Sequence, residues 1–280
     1  ERAPGTWDSI RVKARTRGNF RLRTCYFPPL RIKIKEKDAA HTLFAGNKSL
    51  KLVLPCYRSG DMNQLILKEY LVYQLYQQVT PYYFQTRLVN IDLTELSRKK
   101  PQSYKLLGFF IEDDAHVAER KGATVMKEKK LRPGAYDALL TARHDFFQYM
   151  IGNTDFSTTY EHNNNSIFVK PNKFIPLAYD FDMSGFVNAP YAQANAPTLG
   201  TGNIRERVYR GFCRDENTMQ TVRQEYLKLE PMFYATIDRY ASEFREYDVK
   251  DMKDYLGEFF NILKDDGEFR SHILQGCRKD

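Results

Sequence analysis

The sequence predicts an α+β fold with a β-rich first half that contains one helix, followed by a mainly helical second half. Short segments in which apolar and polar residues alternate dominate the chain up to about residue 112, whereas residues 216–277 have helical periodicity throughout. The 280 residues suffice for one large domain or for two closely packed lobes, and the 42% hydrophobic content supports a real core. The predicted division is into residues 1–114 and 115–280.

Alternation predicts three strands in the first half, at residues 9–16, 30–37 and 49–55, and two more strands are predicted at residues 84–92 and 104–111. A helix is predicted to begin near Asp61, a good N-cap, and to run to about Gln78, because Thr80-Pro81 ends it. Between the first two strands, Arg17 to Phe20 indicate a hairpin turn. A loop that covers phosphates is the weaker interpretation of this turn, since it contains no GxGxxG pattern.

The net charge of +8 favours an anionic ligand or partner, such as a nucleotide, an acidic protein, a nucleic acid or a lipid surface. The charge is densest from Arg11 to Lys37, where strands with basic outward positions would give the same count. Nucleic acid ranks low because no binding motif supports it. No apolar run approaches the ~20 residues that a membrane-spanning helix requires, so no transmembrane segment is expected.

The four cysteines have neither a CxxC pair nor the spacing of metal ligands, which argues against a zinc site. Cys25 and Cys56 each flank a predicted strand and would pair if the protein is exported. The alternative is four free, mostly buried thiols, Cys213 and Cys277 included. No signal peptide is visible, although a chain that starts at Glu1 is compatible with the removal of one.

The segment from His144 to Gly185 carries the chemistry that the sequence predicts. It reads HDFFQYMIGNTDFSTTYEHNNNSIFVKPNKFIPLAYDFDMSG. A helical run ends at Gly152-Asn153, and Asp155 follows in a polar loop. Two short strands are then expected, Ser166–Val169 and Phe174–Tyr179, joined by a Pro-Asn turn.

Asparagines enter this predicted hairpin and aspartates leave it. Protein kinases have the same order of parts: an aspartate facing the substrate hydroxyl, a metal-binding asparagine, a short hairpin and a metal-binding aspartate. Asp155 is therefore the candidate catalytic residue, because it precedes the hairpin. The oxygen atoms of carboxylates and amides suit Mg²⁺ or Mn²⁺. The candidate metal ligands are Asp180, Asp182, Asn163 and Asn165, and the two asparagines are chosen because alternate residues entering a strand share a face. The alternative is that all of these are ordinary loop and turn residues.

A second predicted constellation joins a lysine to a glutamate. Glu69 falls within the apolar stripe of the predicted helix, where an unpaired carboxylate is costly. Lys51, on the strand before that helix, is its natural partner, and such a pair positions phosphates in kinases. Alternatively, Glu69 is solvated at the edge of the stripe and Lys51 lies on a wet strand face. Lys33 is the second candidate for the lysine.

The motifs together resemble the CotH family of spore-coat-type atypical protein kinases, which has many bacterial relatives. The resemblance covers roughly residues 9–190 and is carried by RTRGNFRLRTCYFPPLRIKIK, SLKLVLP, NTDFSTTYEHNNNSIF and IPLAYDFDMSGF. It implies a two-lobed, atypical kinase-like fold. Asp155 resembles the catalytic-loop aspartate, Asp180 and Asp182 resemble the metal-binding aspartates, and one of Asn163 to Asn165 resembles the second metal ligand. HRD, DFG and GxGxxG are missing, as they are in CotH relatives.

The resemblance implies a transferase that uses ATP and Mg²⁺ or Mn²⁺ to phosphorylate Ser or Thr on an unknown protein substrate. Two alternatives stay open: an inactive kinase-like module that binds an anionic partner at the cell surface, and the same fold transferring another group such as AMP. An exported or cell-surface location in a bacterium is expected, with a cytoplasmic one as the alternative. A long irregular segment, residues 186–203, is interpreted either as a functional loop or as plain irregular structure.

Overall fold

The computed structural model describes residues 5, 7–58, 61–96, 100–126, 130–171, 173–192 and 202–279. The chain forms two compact units, one of Glu1–Tyr70 with Phe84–Val117 and the other of Leu71–Tyr83 with Ala118–Asp280. The predicted division lies close to the end of the first unit, but Leu71–Tyr83 belong to the second. None of the helices in the described ranges combines the length and the hydrophobicity that crossing a bilayer requires.

The first unit is built on a five-stranded antiparallel sheet with the order β1-β2-β3-β5-β4. Its strands and helices are β1 Val12–Thr16, α1 Phe20–Thr24, β2 Leu30–Ile34, α2 Glu36–Ala39, β3 Ser49–Val53, the first half of α3 Met62–Val79, β4 Thr86–Glu95, β5 Gln102–Ile111 and the start of α4 Asp114–Arg120. All five predicted strands and the predicted helix are therefore present. The strands alternate because one sheet face packs on a core that includes Ile32, Leu50 and Leu52.

The connection between β1 and β2 differs from the predicted hairpin turn. Gly18 has a positive φ of +85°, and the chain then forms helix α1 before it returns at Leu30. The tight turn is therefore wrong, because a complete helical segment fills the connection. The disulfide between Cys25 and Cys56 joins the residue after this helix to the segment after β3, as expected for an exported protein.

The second unit combines helices with a three-stranded antiparallel sheet of the order β6-β7-β8. Its elements after α4 are β6 Thr124–Val125, α5 Ala138–Met150, β7 Asn164–Val169, β8 Lys173–Ala178, α6 Glu216–Arg239, α7 Glu246–Lys264, α8 Asp266–Phe269 and a π-helical turn Arg270–Leu274. The predicted hairpin is confirmed, although Asn172 of its turn lies outside the described residues. Residues 193–201 of the long irregular segment also lie outside them. A second disulfide joins Cys213 to Cys277, so the alternative of four free thiols is wrong.

A glycine at the end of α5 fixes the start of the loop that carries Asp155. Gly152 has a φ of +61°, and a Cβ there would collide with the hydroxyl of the buried Tyr255. The Cα of Gly185 lies within van der Waals contact of the same position, 3.6 Å from the would-be Cβ. Backbone hydrogen bonds from Gly185 N to Gly152 O (3.1 Å) and from Phe186 N to Ile151 O (3.0 Å) join the two segments. The helix end and the chain after Asp182 are thus held together.

We expect Gly152→Ala to destabilise the protein more than Gly122→Ala. Both glycines have nearly the same positive φ, +61° and +60°, but a Cβ at Gly122 meets nothing within 4 Å. Both variants therefore carry the left-handed strain of ~1–3 kcal/mol, and only Gly152→Ala adds an overpacking term of similar size. Chemical denaturation of the two variants gives the difference. Adding Tyr255→Phe should recover part of the excess loss in Gly152→Ala, and equal losses in the two variants would contradict the close contact.

Candidate functional site

Asp155 is anchored to helix α5 by a chain of buried hydrogen bonds. Its backbone N–H donates to Oδ1 of Asn153 (2.9 Å), and Nδ2 of Asn153 donates to Oε1 of Gln148 (2.9 Å). The amide nitrogen of Gln148 contacts Nε2 of His144 at 3.2 Å, and Nδ1 of His144 contacts Asp145 at 2.9 Å. With Gln148 donating to Nε2, the Nδ1–H of His144 donates to Asp145, so every donor along the chain points towards the Asp145 carboxylate.

The carboxylate of Asp155 receives one N–H donor on each oxygen. Nε2 of His162 lies 2.8 Å from Oδ1, and Nδ2 of Asn163 lies 2.8 Å from Oδ2. The same Asn163 nitrogen also donates to the backbone carbonyl of Asp155 at 2.8 Å. The Asp155 side chain is still 41% exposed, so a substrate hydroxyl can reach it. Asp155 is therefore both oriented and accessible.

The register of the hairpin brings the asparagines next to the segment that carries the aspartates. Asn164 pairs with Ala178 at the open end of β7 and β8, and Tyr179 N donates to Asn163 O at 3.1 Å, one residue before Asp180. Asn163 itself lies outside the strand with a φ of +48°. The alternation that was expected to align Asn163 with Asn165 therefore does not extend to Asn163. Because Nδ2 of Asn163 is engaged by Asp155, Oδ1 is the only side-chain atom of Asn163 that could serve as a metal ligand.

Asp180 adopts a backbone conformation that few residues tolerate. Its φ is +63°, and its N–H donates to the hydroxyl of the buried Tyr73 at 2.9 Å. Phe181 is fully buried and packs against Tyr73 and Phe147 with ring-centroid distances of 4.8 and 5.9 Å. Left-handed residues held by well-packed neighbours cluster at functional sites, because such strain persists only where the surroundings impose it. Asp182, two residues later, is buried at 3% exposure.

The second unit contains oxygen ligands of the type that Mg²⁺ or Mn²⁺ prefers. Asp180 and Asp182 would supply carboxylate oxygens, and Asn163 or Asn165 an amide oxygen. Within the described part of the chain, no group of three or more His, Cys, Asp and Glu residues is arranged to hold a metal ion. A cation shared between few protein ligands and the phosphates of a nucleotide stays the prediction.

The first unit contains the predicted lysine and glutamate in buried positions. Lys51 is 4% exposed and Glu69 is 2% exposed, so the alternative in which both are solvated is wrong. Burial, with the nearby charge of Arg17 as a further cause, lowers the pKa of Lys51 from 10.5 to about 8. Glu69 accepts a hydrogen bond from Arg21 at 3.3 Å. The direct Lys51–Glu69 pair stays a prediction, and the second candidate, Lys33, has an exposed side chain.

Two arginines near the predicted residues were missed by sequence reasoning. Arg21 of helix α1 forms the buried ion pair with Glu69. In the second unit, Arg210 donates to the carbonyl of Thr154 and stacks on Phe156, with its guanidinium 5.5 Å from the ring centroid. Arg210 thus contacts both chain neighbours of Asp155. No local sequence signal identifies either arginine, because each contact joins residues that are distant in the chain.

We expect the stability contribution of Lys51 to depend on pH. The folded-state pKa of about 8 lies below the ordinary 10.5, so between these values the unfolded chain binds more protons than the folded one. The buried ammonium therefore lowers the free energy of unfolding by roughly 3 kcal/mol below pH 8, and this penalty fades as the pH rises towards 10.5. In denaturant titrations, the free energy of unfolding of the wild type should rise by roughly 2 kcal/mol relative to that of Lys51→Met between pH 7 and pH 10.

Lys33→Met is the matched control, because it removes an exposed lysine from the neighbouring strand. A difference in the free energy of unfolding between Lys51→Met and the wild type that stays constant from pH 7 to pH 10 would show that Lys51 is not a desolvated ammonium. If Lys33→Met instead showed the pH dependence expected of Lys51→Met, the desolvated lysine would be Lys33 of β2 and not Lys51 of β3.

Comparisons with known proteins do not establish a family. No protein-family model matches the chain, and no curated protein matches its sequence. The resemblance to the CotH family therefore rests on the motifs quoted above. The geometry of the described residues is the basis on which a function is assigned.

Proposed function

We propose that the protein is a kinase that transfers the γ-phosphoryl group of ATP to a Ser or Thr hydroxyl of a protein, with Mg²⁺ or Mn²⁺. The observation that carries this proposal is the Asp155 carboxylate. It is accessible, fixed by Asn163 and His162, and followed along the chain by Asp180 in a strained, packed conformation. The order of these residues along the chain is that of the corresponding parts of protein kinases, which supports the proposal.

Asp155 would orient the attacking hydroxyl and accept its proton. A carboxylate has about four lone-pair positions, so the donors from His162 and Asn163 leave acceptor capacity for a substrate O–H. As the hydroxyl oxygen bonds to the γ-phosphorus, the bond to the ADP oxygen breaks and the hydroxyl proton passes to Asp155. The donors on both carboxylate oxygens reduce its freedom, and positioning of this kind supplies most of the rate enhancement in phosphoryl transfer.

Charge stabilisation would come from both predicted constellations. Asp180 and Asp182, with Asn163 or Asn165, would hold the divalent cation, which neutralises charge on the phosphate oxygens. Lys51, held by Glu69, would contact phosphate oxygens. A lysine whose pKa is lowered to about 8 by burial is still mainly protonated at pH 7, and an arriving phosphate offsets the cost of its desolvation.

ATP binding should depend on a divalent cation and on Asp180. Calorimetric titration of ATP with Mg²⁺, with Mn²⁺ and with EDTA should show binding that EDTA weakens, and Asp180→Ala should remove the metal-dependent part. Asp180→Asn is the matched control for backbone strain, because Asn tolerates the left-handed conformation but carries no charge. Equal losses in Asp180→Ala and Asp180→Asn would identify the carboxylate as the cause. Absence of binding under every condition would contradict the kinase proposal.

Asp155→Asn should lower phosphate transfer by orders of magnitude and leave ATP affinity unchanged. The amide cannot accept the hydroxyl proton, whereas no nucleotide contact is assigned to this side chain. Transfer of label from γ-labelled ATP to the protein itself and to generic Ser/Thr acceptors measures turnover, and calorimetry measures affinity. Full turnover of Asp155→Asn would remove Asp155 from the mechanism. Transfer from α-labelled rather than γ-labelled ATP would favour AMP transfer.

A module that binds an anionic partner is the second candidate, and the dense positive charge from Arg11 to Lys37 favours it. Such a module would show little metal-dependent nucleotide binding and a steep salt dependence of partner binding. For either function, we infer an oxidising location such as the bacterial cell exterior, because two disulfides persist best where thiols are not kept reduced.

A further inference from the structure

One face of the sheet in the first unit carries cations in direct cross-strand register. Arg15 of β1 is opposite Arg31 of β2, which in turn is opposite Lys51 of β3. In the next row, Lys13 of β1 is opposite Lys33 of β2. Side chains in directly opposed positions have Cβ atoms only ~4.5–5.5 Å apart, so like charges there repel one another.

The other face of β2 and β3 fixes the register of these two strands. Ile32 and Leu50 alternate with the cations and belong to the hydrophobic core, so a shift of register would bury the charges and expose the core. The row also changes from exposed to buried across the sheet. Arg15 is exposed, the Arg31 side chain is 29% exposed, and Lys51 is 4% exposed.

Asp113 and Asp114 are carboxylates that offset part of this charge. Arg31 forms an ion pair with Asp113 at 3.2 Å, and Asp113 and Asp114 both act on Lys51, as does the cation of Arg17. The cations of the two rows outnumber these two carboxylates. The core holds these like charges close together, and a multivalent anion bound across them would reduce their mutual repulsion.

We propose that these rows bind the triphosphate chain of a nucleoside triphosphate, so that the ligand is recognised mainly through its phosphates and not through its base. This inference rests on the proposed function for the identity of the ligand. An extended line of cations that leads to a buried lysine suits a linear chain of phosphates better than a single compact anion. Arginine in two of the three positions adds forked donors that fit phosphate oxygens.

The test compares three titrants on one set of variants. ATP, GTP and inorganic tripolyphosphate are titrated calorimetrically, with and without Mg²⁺, into the wild type and into Arg15→Gln/Lys33→Gln, which removes one exposed cation from each row. The control is Lys37→Gln/Lys48→Gln, which removes the same charge from exposed positions outside the rows. We expect affinities for the three titrants within about tenfold of one another, a loss of at least about tenfold in the row variant, and little change in the control.

The outcomes separate this inference from the proposed function. Tight ATP binding without tripolyphosphate binding would overturn it, because the base would then be recognised. Unchanged binding in Arg15→Gln/Lys33→Gln would also overturn it and leave the kinase proposal standing. Tripolyphosphate binding that requires the rows, combined with ATP binding that Asp180→Ala does not affect, would support the inference and count against the kinase. A short single-stranded oligonucleotide or an acidic peptide that binds through the rows while ATP, GTP and tripolyphosphate do not would overturn it.

Discussion

The buried amide of Asn153 is the point on which the candidate catalytic loop depends. It accepts from the backbone N–H of Asp155 and donates to Gln148, so one side chain fixes the loop to a helix that lies in the core. An unsatisfied buried amide costs about 1–3 kcal/mol, so any displacement of the loop breaks contacts that solvent cannot replace. The position of Asp155 is therefore set from within the fold, while its carboxylate stays in reach of solvent.

The sheet of the first unit must form a core and also accommodate its cations. Its strands need one apolar face for the core, and strict alternation then places every intervening residue on the other face. In β2 and β3 the intervening residues include Arg31, Lys33 and Lys51, so the periodicity that forms the core also gathers the cations. A single sequence pattern thus forms the core and gathers the cations.

Local patterns account for most of what could be predicted from the sequence. Alternating and short apolar segments located the strands of both sheets except the two-residue β6, and the stripe of α3 indicated that Glu69 is buried. The failures are non-local. The helix α1 in place of a turn, the Arg21–Glu69 ion pair, the contacts of Arg210 and the Cys213–Cys277 disulfide all depend on which distant segments meet. The left-handed φ of Asn163 was not predicted either, because the spacing of apolar residues carries no information on the backbone angles of a single residue.

Three residues that are far apart in the chain share one small volume beside the candidate catalytic loop. The Tyr255 hydroxyl occupies the space that a side chain at Gly152 or at Gly185 would need, and it donates to Arg205 O at 3.2 Å. Substitutions at these positions are therefore coupled. A larger residue in place of Gly152 requires a smaller one in place of the tyrosine, so these two alignment columns should covary. At Gly185 the backbone of Ile204 and Arg205 also blocks a side chain, so that column should stay glycine.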